Sequence, residues 1–330
     1  VLELDRYISE AGLAKAPAVA VGVCMGDRSN CLVVGAPRDA QFRIASLTKP
    51  FLAEMTLLLC EKRLLDLDAP ALPGTPTIRQ LLAHEGGLRP DLLKMERFGE
   101  GGDALAAAVR EVLNEKRHFA AGRAWEYANS GYWIVAHAAA RAAEAEFERV
   151  LNDELLQPLG LTDTGWVGER LISGHDERLE QVEPMAYPRS RRPSGGLVST
   201  IDDVVRFGVA ALDRRRRRLD DPLRATLFGA RSGLGWQVDP AGAVSYHDGD
   251  YGGFCARIAV APDRKVVVVA MASTSAARRS IRQLSERLLC DLSVPLAPRP
   301  RRHALALSAY TRLLFARTAF RLSSASARPT

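Results

Sequence analysis

Ser46 and Lys49 stand three residues apart where a short run, Gln41 to Ile44, gives way to a long apolar segment, Phe51 to Leu65. Such a junction predicts a strand or loop feeding a helix that begins near Ser46 and runs to about Leu64. On that helix the two side chains share one face, one turn apart. A serine hydroxyl needs a base beside it to become a nucleophile, and a lysine with a burial-lowered pKa can be that base. Unpaired N–H groups in the first helical turn would favour negative charge near Ser46. The chemistry implied is acyl transfer, whereas a capping serine and a surface lysine would do none. The pair therefore needs partners from elsewhere in the chain.

Three stretches can supply them. Trp125 to Gly131 sets Tyr127 and Asn129 two apart at the start of a helix, where a phenol and an amide can turn towards one pocket. A tyrosine near the Lys49 cation would have a lowered pKa and could act as general base. Tyr246 to Phe254 ends a strand in glycines, which let backbone approach a substrate while a strand edge donates an N–H to an oxyanion. In the third stretch, Leu81 to Leu88, His84-Glu85 lacks a second histidine four residues on, so no metal is expected. His118, His137, His175 and His303 show no ligand spacing either.

The elements that must position these residues follow from periodicity. Leu2 to Gly12 reads as an opening helix, and Ala18 to Met25 with Cys31 to Gly35 as a hairpin. Helical patterns then dominate: Thr77 to His84, Ala104 to Asn114, Gly131 to Ala145 and Phe147 to Leu155. A helix from Asp202 to Leu212 has Thr200 as its expected N-cap. Strands at Leu234 to Val238, Val244 to His247, Phe254 to Ala261 and Lys265 to Met271 follow one another without helices between, which argues antiparallel pairing. A helix from about Ala276 to Leu292 closes the fold. One sheet built from both ends of the chain is expected, as a discontinuous domain over 1–65 and 188–297, with a mostly helical domain over 66–187.

At 330 residues, 47% hydrophobic and 25% charged, the chain can bury a large core and has an ordinary globular composition. The net charge of +6 is misleading, because residues 298–330 hold seven arginines and no acid, and the remainder sits near −1. A nucleic-acid-binding core is therefore not expected. The basic tail reads as a loosely ordered extension with at most weak contacts to a membrane surface or a protein. The run Arg214 to Arg218 reads as a solvated cluster at a helix end. Cys24 and Cys31 flank a turn and could face one another, but free thiols are expected for all five cysteines. No spanning segment and no basic-then-apolar leader is seen. A cytoplasmic address is expected, although a leader removed before Val1 would leave the same sequence.

Taken together, the motifs resemble the serine β-lactamase and penicillin-binding-protein-like superfamily, in its class C β-lactamase, D-aminopeptidase and esterase branch. The resemblance is carried in order by Phe42 to Pro50, Leu81 to Leu88, Phe119 to Gly131, Gln157 to Leu161 with Thr164, Gly195 to Phe207, Gly233 to Trp236 and His247 to Pro262. It implies an α/β (α+β) sandwich, a central antiparallel sheet flanked by helices plus an all-helical domain, with the site between them and no cofactor. It implies Ser46 as acylated nucleophile, Lys49 as its proton partner, Tyr127 as base and Asn129 as ligand for a substrate amide. His247-Asp248-Gly249 stands where the superfamily carries Lys-Thr-Gly or His-Thr-Gly, and the N–H groups of Ser46 and Asp250 would form the oxyanion hole. The implied substrate is a small ester, amide or β-lactam-like molecule. Hydrolysis of an ester or amide leads, with β-lactamase or D-peptidase activity, acyl transfer and ligand binding without catalysis as alternatives.

Two departures stand out. His84-Glu85-Gly86-Gly87-Leu88 replaces His-Thr-Ser-Gly-Leu, a change expected to stay in the scaffold. Asp248 replaces a threonine, and with Asp250 it is expected to repel a substrate carboxylate by several kcal/mol in a partly dry cleft. β-Lactams and other carboxylate-terminated substrates are accordingly expected to be poor ones.

Overall fold

The computed structural model describes residues 2–183, 186–212, 231–239 and 241–296. The basic tail and the run Arg214 to Arg218 lie outside the described residues. The opening helix is α1 (Leu4–Glu10). It leads into the hairpin β1 (Val19–Met25) and β2 (Arg28–Val34), followed by a short strand β3 (Phe42–Arg43). After it, α2 (Thr48–Glu61) is buried along most of its length. The helical stretch comprises α3 (Ile78–Leu82), α4 (Ala104–Asn114), α5 (Asn129–Ala142) and α6 (Phe147–Leu151), the last running on through a π turn, Asn152–Leu156.

The chain then returns through α7 (Arg192–Gly195), β4 (Val198–Ser199) and α8 (Ile201–Ala210). Short strands β5 (Arg231–Ser232) and β6 (Gln237–Val238) precede three long elements of sheet, β7 (Ser245–Tyr251), β8 (Phe254–Ala261) and β9 (Val266–Ala272). Helix α9 (Arg278–Asp291) ends the described fold. Among the described residues the main sheet has seven strands in the order β2-β1-β9-β8-β7-β6-β5, every neighbouring pair antiparallel.

The central strands β1, β8 and β9 are buried on both faces, and they divide their residues by parity as a period of two requires. Val19, Val21 and Val23 of β1 join Val268 and Ala270 of β9 against Leu4 and Ile8 of α1 and Ile281, Leu284 and Leu288 of α9. Ala20 and Cys24 face the other way with Val267, Val269 and Met271, onto α8 and the helical stretch. Helix α8 presents Ile201, Val204, Val205 and Gly208 to the sheet, three- and four-residue spacings that make one apolar stripe. The Thr200 hydroxyl caps it by accepting from the Asp203 N–H, as predicted. Beneath the stripe Phe207 stacks on Phe51 of α2, ring centroids 3.6 Å apart, and Trp236 lies parallel to Phe207 at 6.2 Å.

The hairpin cysteines do not meet. Register pairs Cys24 with Ser29 and Cys31 with Gly22, because the turn is tighter than the sequence suggested, and both thiols are free.

Phe51 is 1% exposed and anchors α2 from within. Phe51→Ala should lower the unfolding free energy by about 3–5 kcal/mol in a urea titration, and a loss below about 1 kcal/mol would mean that this stack is not part of the stable core.

Candidate active site

Ser46 lies in a single 3₁₀ turn, Ala45–Leu47, that passes directly into α2. The short ribbon formed by β3 and β4 and the Ile44 N–H to Leu197 carbonyl bond (3.1 Å) bring this turn beside the segment 194–199. Ala45 holds a positive φ of 47°. That conformation costs a residue with a Cβ about 1 kcal/mol or more, so the turn is held by its surroundings rather than by its own preference. Lys49, one turn on, is fully buried. Its Nζ lies 3.1 Å from Ser46 Oγ and donates to the Ser194 carbonyl at 2.6 Å. Burial, reinforced by Arg191 and opposed by Asp91, drives the amine well below the ordinary lysine range.

Tyr127 arrives in extended backbone just before α5, and its side chain is hydrogen-bonded with Ser46. Its ring stacks on His84 at 4.4 Å, and the Lys49 amine sits 4.9 Å from the ring centre. The expectation of a lowered tyrosine pKa is not met. Burial pushes the phenol upward, and the same burial drives the Lys49 amine, which was to lower it, well below the ordinary lysine range. His84, at a positive φ of 62°, accepts the Ala128 N–H on Nδ1 at 3.1 Å, which fixes its tautomer with the proton on Nε2. His84, the residue this motif retains, is thus held by backbone where Tyr127 stacks on it.

Asn129 opens α5 but does not cap it. Its Nδ2 donates to Asp91 at 2.7 Å, and Asp91 is also paired with Arg191. Neither Asp91 nor Arg191 was singled out from sequence; they are 100 residues apart and match no motif.

Strand β7 supplies the opposite wall. Its edge is paired with β6 only through Ser245 and Tyr246, so His247 to Tyr251 lie along an open edge. Gly252 and Gly253 both have positive φ, 59° and 79°, and form a two-residue hairpin loop that closes the Tyr251–Phe254 pair. Antiparallel alternation from that hydrogen-bonded pair turns the Asp250 N–H away from β8, out towards the edge. Gly249 makes the close approach possible: a Cβ there would stand 2.2 Å from the Ile44 carbonyl oxygen.

His247, on the same face, is buried, and its Nδ1–H donates to the Asp248 carbonyl at 2.7 Å, leaving Nε2 as an acceptor. Burial, then Lys49, lowers its pKa to about 4, so the ring is neutral at neutral pH.

Asp248 requires a correction. Between His247 and Gly249 on a strand it must point to the far face of the sheet, where it meets Arg257 of β8 at 2.5 Å. Burial opposes its charge, yet Arg257 and Arg282 hold the carboxyl below its usual value. Asp250 likewise pairs with Arg278 on α9. Both carboxylates are neutralised behind the strand, and the repulsion of a substrate carboxylate expected from them does not operate. Among the described residues no group of three or more His, Cys, Asp or Glu side chains is gathered to hold a metal.

Adding a methyl group at Gly249 should push β7 off the Ser46 turn. Gly249→Ala is expected to slow acylation of Ser46 about 100-fold or more with the far-ultraviolet circular dichroism unchanged, since displacements near 1 Å are enough for that loss. Acylation within a factor of two of wild type would show that the edge does not border the reacting group.

Comparison with known proteins agrees with this architecture. The beta-lactamase family model matches residues 4–289. Penicillin-binding protein 4 of Amycolatopsis lactamdurans is 27% identical over 320 residues, spanning 81% of this chain and 83% of that one. Esterase EstB of Burkholderia gladioli is 28% identical over 223 residues, 51% of this chain and 56% of its own. Several other curated relatives are matched over about half of their length or less. Among solved structures, D-amino acid amidase from Ochrobactrum anthropi superposes with a TM-score of 0.74 at 20% identity, covering 88% of this chain and 99% of that one. The chain belongs to the beta-lactamase family of serine hydrolases.

Proposed function

We propose that this chain hydrolyses small neutral esters or amides through an acyl-Ser46 intermediate. The observation that carries the reading is the fully buried Lys49 amine 3.1 Å from Ser46 Oγ, its pKa driven well below the ordinary lysine range by that burial. A neutral amine takes the Ser46 proton, with the Tyr127 hydroxyl, hydrogen-bonded with Ser46, able to pass it on. Oγ attacks the substrate carbonyl, and the Ser46 and Asp250 N–H groups receive the oxyanion. The proton on Lys49 then leaves with the alcohol or amine, and acyl-Ser46 remains. Water enters, loses a proton to Lys49 and attacks the acyl carbon, releasing the acid and restoring the Ser46 hydroxyl. An alcohol or amine in place of water would turn the same step into acyl transfer.

The preference for neutral substrates rests on His247. Where the superfamily resemblance implies a cation and a hydroxyl to hold a substrate carboxylate, this ring is an uncharged acceptor at neutral pH. Asn129 and the edge of β7 are proposed to hold the substrate along the cleft.

Intact-mass spectrometry after exposure to a short p-nitrophenyl ester, a fluorophosphonate and a penicillin tests the reading. The ester and the fluorophosphonate should each add to wild type and not to Ser46→Ala. A penicillin adduct forming as fast as the fluorophosphonate adduct would move the assignment to penicillin binding, and no adduct at all would move it to ligand binding without catalysis.

A second prediction concerns pH. Unfolding returns Lys49 to water, where it binds a proton that the folded state lacks below the ordinary lysine pKa of 10.5. The unfolded state then binds more protons, so this group's contribution to stability rises with pH up to about 10. Lys49→Met should be inactive, and its stability relative to wild type should decline steadily from pH 7 to pH 10. A difference independent of pH would mean that Lys49 is charged in the folded protein.

A further inference from the structure

We propose that the Asp91–Arg191 ion pair is a positioning device for the catalytic cluster, one that orients the Asn129 carboxamide and balances the charge beside the Lys49 amine. The inference rests on the acyl-Ser46 reading and adds two residues to it. Asp91 is a junction: Oδ1 accepts the Leu92 N–H at 2.9 Å, and Oδ2 accepts Asn129 Nδ2 at 2.7 Å and Arg191 Nη2. A carboxylate can only accept, so the amide nitrogen must face Asp91. The neighbouring backbone fixes the same approach, because the Asn129 N–H donates to the Pro90 carbonyl at 2.8 Å and Ser130 Oγ to the Arg89 carbonyl at 2.6 Å.

Arg191 ties this junction to the other side of Lys49. Its Nε is buried and has no hydrogen-bond partner among the described residues, an arrangement that costs stability. The segment it belongs to is held from outside by Glu148, which accepts from Arg189 Nε and Arg192 Nη1, both at 2.9 Å. Three residues on, the Ser194 carbonyl accepts the Lys49 amine, while Ser194 Oγ receives the Trp133 indole N–H at 2.9 Å. The groups that face Lys49 are then Ser46 on its own turn, the Tyr127 and Tyr132 rings, His84 and His247, both neutral, and the pair Asp91 and Arg191. Among them Asp91 and Arg191 act on the amine with opposite sign.

That opposition gives a test that a merely structural ion pair would fail. The rate of Ser46 labelling by a fluorophosphonate is measured against pH for wild type, Asp91→Asn, Arg191→Gln and Arg191→Lys. Labelling needs the neutral amine, so its acid limb follows protonation of Lys49. Asp91→Asn leaves an unopposed cation and should move the limb to lower pH; Arg191→Gln leaves an unopposed anion and should move it to higher pH, each by roughly one unit. Arg191→Lys keeps the charge and should restore the wild-type limb. Limbs that stay in place, or that move in the same direction in both variants, overturn the proposal while leaving acyl-Ser46 standing. A wild type that is not labelled at Ser46 overturns both.

Discussion

The site depends on one unfavourable placement, a lysine amine fully buried from solvent. The faces of Tyr127 and Tyr132, 4.9 and 5.5 Å from Nζ, would favour an ammonium by about 1–2 kcal/mol. Removing that ion from water costs several kcal/mol, so desolvation wins and the amine's pKa falls well below its ordinary value. Around it the strained turn at Ala45 sets the serine against the nitrogen, α7 brings one carbonyl to it, and Gly249 allows an edge strand to border the opening. None of these would be needed to fold a sheet with helices on both faces. They are consistent with a protein that trades stability for a reactive group.

Two histidines show how the same burial produces different hydrogen-bonding groups. His84 accepts a backbone N–H on Nδ1 and so keeps its proton on Nε2; His247 donates from Nδ1 to a carbonyl and keeps Nε2 bare. Tyr127 lies against the first and 6.4 Å from the second, measured between ring centres. Local backbone, rather than any formal charge, decides which ring nitrogen can give a proton and which can take one.

Much of this was legible before the structure. The Ser46–Lys49 spacing, the helix Ala104–Asn114 and the strand Phe254–Ala261 follow from periodicity and fall where they were expected. Asp248 was misread although its orientation was also legible. A strand alternates, so Asp248 could not share a face with His247 and Gly249, and a two-residue loop at Gly252-Gly253 pairs it with Arg257 by counting. A motif position says which residue type is usual there, whereas the face of the strand decides what the side chain meets. Asp91 and Arg191 were not legible at all. No local pattern links residues so far apart, and a lone aspartate or arginine in a loop reads as solvated surface.

The sheet also sets when the protein can first work. Strand β1 pairs with β9 along its full length, and the Ala18 N–H is bonded to Ser273 Oγ, 255 residues later. A ribosome adding 5–20 residues per second needs roughly tens of seconds to make that interval. During it the apolar face of the first hairpin has no sheet to join, and the Ser46 turn has no β7 beside it. The opening strands are thus an exposed edge until β9 has been made, and the reactive serine is assembled only after β7 has emerged.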